Sequence, residues 1–286
     1  MAVLNNARDI LRPRTLDLGR PGQPLYVLRA LLRVWQRRKL LLDLSVRSLR
    51  LQYTQTILGY GWVVLAPLAQ LLVLNFIFAG VLDRGSDTHQ YVLVLALGLF
   101  PWHIYATTLS AATESLVKAR NLLSSIALPR DFLIISSVLA HVWDFVVVVL
   151  LTMALLIWTD HAPPLSAAWV PAILLAQLVF TIGLALPLAA LNVFYHDVRF
   201  LLIVVLRVWF WMTPVFYTVE DVPERYRFLY DLNPMAQFVD AYRITLLSGK
   251  TPPLDNMAYV FLLPVVVLVI GYVAFSKMER SLVDRA

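Results

Sequence analysis

The sequence has no cysteine among its 286 residues and few charges, since only 15% of them are Asp, Glu, Lys or Arg. The absence of cysteine excludes disulfide bonds and thiolate metal sites. With 60% hydrophobic residues and a mean hydropathy of +0.73, the chain has more apolar surface than one soluble core buries. The net charge of +6 does not indicate nucleic-acid binding, because the basic residues flank apolar runs and no zinc-finger or stacking-sheet pattern surrounds them. We therefore predict an all-α polytopic membrane protein.

Motifs for catalysis are also missing. The histidines have no metal-ligand spacing, and no His-Glu-x-x-His helix occurs. A phosphate-binding loop requires a glycine, four residues and then Gly-Lys-Ser/Thr. Gly249-Lys250-Thr251 matches only the end of that loop, because Ile244 occupies the position of the leading glycine. We predict no catalytic residue, no metal site and no cofactor in this chain.

Long apolar runs dominate the rest of the sequence. Between Arg50 and Asp83 there is no charged residue, and a helix needs only about 20 residues to cross a hydrocarbon layer of about 30 Å. Five further runs follow, so residues 57–286 are predicted to form a six-span transmembrane domain. The predicted spans are 57–82, 91–112, 132–158, 169–194, 200–218 and 257–276.

The distribution of positive charge predicts the orientation of these spans. With both termini in the cytoplasm, 18 lysines and arginines lie on the inner side and 5 on the outer side. Cytoplasmic loops of membrane proteins typically carry such an excess of lysine and arginine. We predict that both termini are cytoplasmic.

The chain before the first span divides into two segments. Residues 1–24 are predicted to be a cytoplasmic tail, and 25–56 an amphipathic interface helix with its connection to the first span. Its predicted apolar face consists of Leu28, Leu31, Leu32, Trp35 and Leu42, with Arg29, Arg33, Arg37 and Arg38 between them. The alternative is a soluble helix packed on a partner.

Between spans five and six, the outer segment 219–256 is too apolar for a plain loop. It is predicted to form two short re-entrant helices broken at Asn233-Pro234, because neither half is long enough to cross. Such a pair is tolerated only where protein or a water-filled cavity covers its backbone, which places it at the mouth of a pathway. The alternative is a surface loop with two turns of helix.

Two charges fall inside predicted spans, Asp144 in the third and Arg207 in the fifth. A charge at that depth is costly unless it is paired or hydrated. We predict that Asp144 and Arg207 pair, as a clamp or as a polar wall of a conduit. The alternative for Arg207 is that its long side chain reaches the inner headgroups.

Four blocks of sequence together resemble one known family. The blocks are Asp43-Leu44, Arg47, Tyr53, Leu58-Gly59, Trp62 and Pro67; Leu128-Pro129-Arg130 with Trp143-Asp144-Phe145; Asn192-Val193-Phe194-Tyr195-His196-Asp197-Val198-Arg199; and Trp211-Met212-Thr213-Pro214-Val215-Phe216-Tyr217 with Leu232-Asn233-Pro234-Met235 and Tyr242-Arg243. In this order they are similar to the membrane subunit of type 2 ABC exporters that move cell-surface polysaccharides, the O-antigen and teichoic acid permeases.

This resemblance implies a homodimer in the bacterial cytoplasmic (inner) membrane, with two separate ATPase subunits that bind ATP and Mg²⁺. The exported substrate would be a lipid-linked polysaccharide. The inner segment 113–131 would be the coupling helix that fits a groove on the ATPase, and its polar contacts would be Glu114, Lys118, Arg120 and Arg130. The alternative for that segment is a solvated loop.

Aromatic residues crowd the outer half of the fifth span and recur in the second. Aromatic rings stack on the apolar faces of sugars through a broad contact that permits sliding, so these residues are candidates for the wall of a conduit. They are Trp102, Tyr105, Trp209, Phe210, Trp211, Phe216 and Tyr217. The alternative is the aromatic belt that many membrane proteins carry at the interface.

Other functions compete with polysaccharide export. The nearest alternative is a type 2 ABC exporter of a drug or lipid. An ion-coupled secondary transporter is less favoured, because only Asp144 and Arg207 qualify as midplane ionisable groups. A membrane glycosyltransferase is disfavoured, because the outer acidic residues are scattered among positive charges.

Overall fold

The computed structural model describes residues 25–53, 56–81, 88–120, 128–159, 164–218 and 222–283. Its regular structure in these ranges is entirely helical. The α-helices are α1 (Leu25–Gln36), α2 (Arg38–Tyr53), α3 (Gly61–Asn75), α4 (Thr88–Lys118), α5 (Arg130–Ala140), α6 (Val142–Trp158), α7 (Val170–Phe194), α8 (Val198–Met212), α9 (Glu224–Asp231), α10 (Pro234–Leu246) and α11 (Leu254–Val283). A π-helical turn, Phe76–Val81, continues α3, and a 3-10 turn, Leu165–Trp169, precedes α7. The predicted tail 1–24 and the centre of the predicted coupling segment, 121–127, lie outside the described residues.

Five helical stretches are long and apolar enough to cross a membrane. They are Gly61–Val81, Tyr91–Lys118, Arg130–Trp158, Leu165–Phe194 and Leu254–Glu279. The prediction of an all-helical, multi-pass membrane protein is thereby confirmed. The remaining predicted span corresponds to α8, which has 15 residues and is therefore about 22 Å long. The count of six spans stays a prediction.

The helix predicted over 200–218 ends earlier, at Met212. Thr213 has extended dihedral angles, φ −97° and ψ 137°. The physical reason is Pro214, whose ring disfavours the helical region for the residue before it. Residues 213–218 therefore continue as non-helical chain.

Helix α4 lies at the centre of the bundle, where α3, α5, α6, α7, α8 and α10 all contact it. In its most apolar stretch 78% of the residues are buried, compared with 17% in Gly61–Val81. The α3 stretch therefore lies at the periphery.

Helices α7 and α11 form the most extensive pair in the fold. Two glycines permit this approach. A Cβ atom on Gly183 would lie 2.7 Å from the backbone nitrogen of Leu268, and one on Gly271 would collide with the carbonyl oxygen of Gly183. The two backbones therefore touch at a distance that no side chain would allow.

The predicted amphipathic helix is divided into two helices, because a turn at Arg37 interrupts it between α1 and α2. Leu28, Leu32, Trp35 and Leu42, four members of its predicted apolar face, are exposed. Their exposure is compatible with a helix in the headgroup region.

Two short helices, α9 and α10, lie in the segment predicted to contain such a pair, and they meet at Asn233-Pro234 as predicted. Their contacts position the candidate site. Helix α10 packs against α4, α7 and α11, whereas α9 contacts chiefly α10. The pair therefore caps one end of the bundle, called here the α9–α10 end.

Candidate conduit site

The seven aromatic residues predicted as conduit wall form one continuous aromatic cluster in the structure. Trp102 lies 6.0 Å from Trp209 and 5.8 Å from Phe210, measured between ring centroids. From Phe210 the cluster continues to Trp211, at 5.5 Å, and from there to Phe216, at 5.0 Å. These separations are those of favourable aromatic pairs.

Two further contacts complete the aromatic cluster. Tyr105 lies 5.6 Å from both Trp102 and Trp209, and Tyr217 lies 4.9 Å from Phe216. The sequence placed these rings on different segments, α4, α8 and 213–217. The fold brings them together in one band that runs from α4 to the α9–α10 end.

Burial divides the aromatic cluster into two parts. Trp102 and Tyr105 are buried, with exposed fractions of 5% and 1%, whereas Trp211 is 55% exposed. Phe216 and Tyr217 are partly exposed. Trp211, Phe216 and Tyr217 are therefore accessible at the surface of the chain, whereas Trp102 and Tyr105 lie in the interior and connect to Trp211 through Phe210.

Asn233 connects α8 to the start of α10. Its side-chain oxygen accepts hydrogen bonds from Trp209 Nε1, at 2.8 Å, and from the backbone nitrogen of Met235, at 3.1 Å. Its amide nitrogen donates to the carbonyl of Met212 at 3.1 Å. One residue therefore caps α10, holds the tryptophan ring and satisfies a carbonyl at the end of α8.

Arg243 holds the non-helical chain that follows α8. This buried residue of α10 donates from Nη1 to the carbonyl of Tyr217, at 3.1 Å, and from Nη2 to the carbonyls of Val215, at 2.8 Å, and Val94, at 3.0 Å. The carbonyls of Val215 and Tyr217 lie outside any helix, and buried backbone groups need partners. The guanidinium group supplies them.

Gly98 of α4 leaves room for this arrangement. A Cβ atom there would lie 2.7 Å from both the Cα atom and the carbonyl oxygen of Val215, and 3.1 Å from Arg243 Nη2. The 213–217 segment therefore rests directly on the backbone of α4. The hydroxyl of Tyr91, also on α4, donates to the carbonyl of Phe216 at 3.0 Å.

The sequence does not reveal the hydrogen bonds of Asn233 and Arg243 or the close approach at Gly98. Asn233 was predicted only as the break between two helices, and Arg243 appeared only in the fourth block and among the outer positive charges. The available signal was a non-helical Thr213-Pro214 step inside an apolar run, because such a step requires donors for the backbone that it frees.

The two predicted intramembrane charges occupy different environments. Asp144 is buried in the first turn of α6, with a carboxylate oxygen 4.0 Å from Nε2 of His141. Arg207 is exposed on α8. Their pairing stays a prediction.

The four predicted coupling residues lie near the end of the bundle opposite α9 and α10. Lys118 Nζ lies 2.7 Å from a carboxylate oxygen of Glu114, one turn earlier on α4. Arg130 Nη1 donates to the carbonyl of Glu279 on α11 at 3.3 Å, and Arg120 is exposed. Their contact with an ATPase stays a prediction.

At that same end, a part-buried ion pair joins elements far apart in sequence. Arg33 of α1 donates to Asp131 of α5 at 2.7 Å, and the Tyr272 hydroxyl of α11 donates to the same carboxylate oxygen at 3.5 Å. The Arg33 guanidinium also lies 5.8 Å from the centre of the Phe132 ring. Arg33, predicted between the apolar positions of an interface helix, instead points into the bundle because a buried carboxylate faces it.

No cluster of three or more His, Asp or Glu side chains suited to a metal ion occurs within the described ranges. The side chains of the aromatic cluster offer ring faces and, at Tyr105 and Tyr217, hydroxyl groups.

Comparisons with known proteins identify the family of the chain. The family model described as "ABC-2 type transporter" matches residues 40–247, which include α8, α9, α10 and most of the bundle. An O-antigen export system permease protein, RfbA, of Myxococcus xanthus is 28% identical over 245 residues, covering 85% of this chain and 93% of its own. RfbA of Klebsiella pneumoniae is 25% identical over 241 residues, covering 84% and 92%. The polysialic acid transport protein KpsM of Escherichia coli is 21% identical over 241 residues, covering 84% and 93%.

Proposed function

Because the chain belongs to the ABC-2 type transporter family, as its four sequence blocks predicted, we propose that it is the membrane subunit of an ATP-driven exporter of a lipid-linked cell-surface polysaccharide. One observation carries this proposal. The similarity to permeases named for O-antigen export covers more than four fifths of the chain and includes every helix that builds the aromatic cluster.

The proposed orientation places the α9–α10 end on the outer side of the cytoplasmic membrane and both termini inside. The charge distribution, 18 positive residues inside against 5 outside, supports it. Helix α8 with the following segment 213–218 would be the fifth of six crossings. In this orientation α9 and α10 form the re-entrant pair, and Arg243 supplies the donors that non-helical backbone at membrane depth requires.

A second copy of the chain would complete the conduit along α8. Most of α8 is uncovered, including Phe200, Val204, Val208 and Trp211. Arg207 lies on this uncovered surface, about nine residues and thus roughly 14 Å from the start of α8. A charge at that depth is costly against lipid, which supports a homodimer with a water-filled route beside α8.

Energy would come from two separate ATPase subunits that bind ATP and Mg²⁺. The sequence has no complete phosphate-binding loop, so ATP chemistry is assigned to the partner. Segment 113–131 would receive the motion through Glu114, Lys118, Arg120 and Arg130. Asp131, the last residue of this segment, pairs with Arg33 and ties the segment to α1.

The proposal is tested by deleting the gene in its host and measuring polysaccharide at the cell surface. We expect loss of surface polysaccharide and accumulation of lipid-linked polysaccharide inside the cell, both reversed by a plasmid copy. In vesicles containing the chain and its ATPase partner, transport should require ATP. Transport driven by an ion gradient without ATP would contradict the proposal, and so would normal surface polysaccharide in the deletion strain.

The proposed pairing of Asp144 with Arg207 has its own test. If they pair, within one copy or between two, Asp144→Asn combined with Arg207→Leu should be tolerated better than Arg207→Leu alone, because the double variant leaves no unpaired charge. Surface polysaccharide and protein level in the membrane are the two measurements. Equal loss in the single and double variants would contradict pairing.

A further inference from the structure

A cavity of about 960 Å³ opens at the α9–α10 end, between α4, the end of α8 and α9. Four tyrosines contribute to its wall, Tyr91 from α4, Tyr217 from the non-helical segment, and Tyr226 and Tyr230 from α9. Phe216 adds a fifth ring. The cavity is open on one side, and aromatic side chains from three separate segments line it.

The tyrosine hydroxyls are ordered by contacts within the wall. The hydroxyls of Tyr217 and Tyr230 lie 2.7 Å apart, and the Tyr91 hydroxyl donates to the carbonyl of Phe216 at 3.0 Å. Arg225 stacks on the Tyr226 ring, with its guanidinium carbon 4.6 Å from the ring centre. These contacts fix the rings in a wall that is ready for a ligand, which reduces the entropy lost on binding.

The wall chemistry selects the class of ligand. None of the described residues that line the cavity carries a charge, so this lining favours a neutral ligand over a diphosphate or another anion. A pocket for a lipid chain needs only apolar surface, whereas this wall combines ring faces with several hydroxyl groups. Ring faces suit the C–H surface of a pyranose, and hydroxyl groups exchange hydrogen bonds with its hydroxyls.

The cavity is continuous with the aromatic cluster. Phe216 and Tyr217 belong to both, and Tyr217 lies 5.9 Å from Tyr230 between ring centroids. A polymer in contact with Trp211 and Phe216 would next meet the tyrosine wall. The order of rings thus runs from the uncovered face of α8 into the cavity.

We propose that this cavity is a saccharide-binding site, in which pyranose rings of the exported polysaccharide stack on Tyr226 and Tyr230. The inference rests on the proposed function, because that function supplies the polysaccharide. It adds a defined site at the outer end of the conduit, where sugar rings bind before they leave the protein.

The test measures binding of the host's own polysaccharide, released from its lipid by mild acid hydrolysis. The protein is the full chain with its ATPase partner in lipid nanodiscs, and saturation-transfer NMR reports contact with sugar protons. We expect Tyr226→Ala and Tyr230→Ala each to weaken binding about threefold to tenfold, the range for one aromatic contact. Tyr230→Phe keeps the ring and should retain most of the affinity.

Tyr195→Ala is the matched control, because Tyr195 is exposed at the opposite end of the bundle and should leave binding unchanged. Wild-type affinity in the Tyr226→Ala, Tyr230→Ala double variant would overturn the inference. Absence of binding by the wild-type protein, or displacement of the sugar by a long-chain polyprenol, would also overturn it.

The same variants separate this inference from the proposed function. If the deletion strain lacks surface polysaccharide but the double variant binds sugar like the wild type, only the cavity assignment fails. If the deletion strain has normal surface polysaccharide, the proposed function fails.

Discussion

Arg243 provides the most direct test of how the site is built. Replacing it with leucine keeps the apolar part of the side chain but removes the donors to the carbonyls of Val94, Val215 and Tyr217. Val94 lies inside α4, where its carbonyl keeps a helical partner. The carbonyls of Val215 and Tyr217 have no helical partner, so Arg243→Leu removes the donor from one buried acceptor, on Val215, and one partly buried acceptor, on Tyr217.

An unsatisfied buried acceptor costs about 1–3 kcal/mol, and the partly solvated carbonyl of Tyr217 adds less, so the expected loss is about 1–4 kcal/mol. The loss should appear as a lower unfolding temperature of the purified protein, followed by the fraction that remains monodisperse after heating in detergent. Arg243→Lys should fall between wild type and Arg243→Leu, because an ammonium group cannot present two parallel donors as a guanidinium does.

Arg47→Leu is the control, because Arg47 is an exposed arginine on α2, and its replacement should leave the unfolding temperature unchanged. If Arg243→Leu also unfolds at the wild-type temperature, the carbonyls are satisfied in another way and the reasoning is refuted. If Arg243→Leu unfolds at a lower temperature but exports normally, Arg243 stabilises the fold without positioning the conduit.

Three further predictions use the same strain and assays. Gly98→Ala should lower protein stability by about 1–3 kcal/mol through overpacking against Val215, whereas Gly80→Ala, whose Cβ would meet its nearest atom at 3.7 Å, should be neutral or stabilising in unfolding assays. Trp211→Ala should reduce export more than membrane protein level, because this ring is exposed; unchanged export would leave it as part of an interfacial belt. Asp131→Asn should lower protein stability by about 1–3 kcal/mol, because the part-buried Arg33 loses its charged acceptor, and wild-type stability would contradict that role.

Much of the fold could be predicted from apolar runs and charge. A stretch such as Gly61–Val81, bounded by charges on both sides, has few alternatives to a membrane-crossing helix. The aromatic residues of α8 were also visible, because they occur within a few positions of one another. Their assembly with Trp102 and Tyr105 was a hypothesis from residue type, and the contacts between α4 and α8 agree with it.

The rest depended on contacts between distant parts of the chain. Arg33 and Asp131 are 98 residues apart, and neither position reveals the other. In the sequence Arg243 is one of several outer positive charges, and only the folded structure shows that it donates to the non-helical chain at 213–217. The early end of α8 could have been predicted from Pro214, which disfavours the helical region for the residue before it. The predicted span reached residue 218 because the apolar run continues past the proline.

The exposed end of the aromatic cluster is held by helices other than α8. Arg243 and Asn233 reach it from α10 and its cap, and Tyr91 reaches it from α4. Helix α8 itself contributes no donor to the carbonyls of Val215 and Tyr217 that Arg243 binds. A displacement of α10 relative to α4 must therefore shift or break the bonds that hold Phe216 and Tyr217. If α10 moves relative to α4 during export, Phe216 and Tyr217 would change position at the outer end of the proposed conduit.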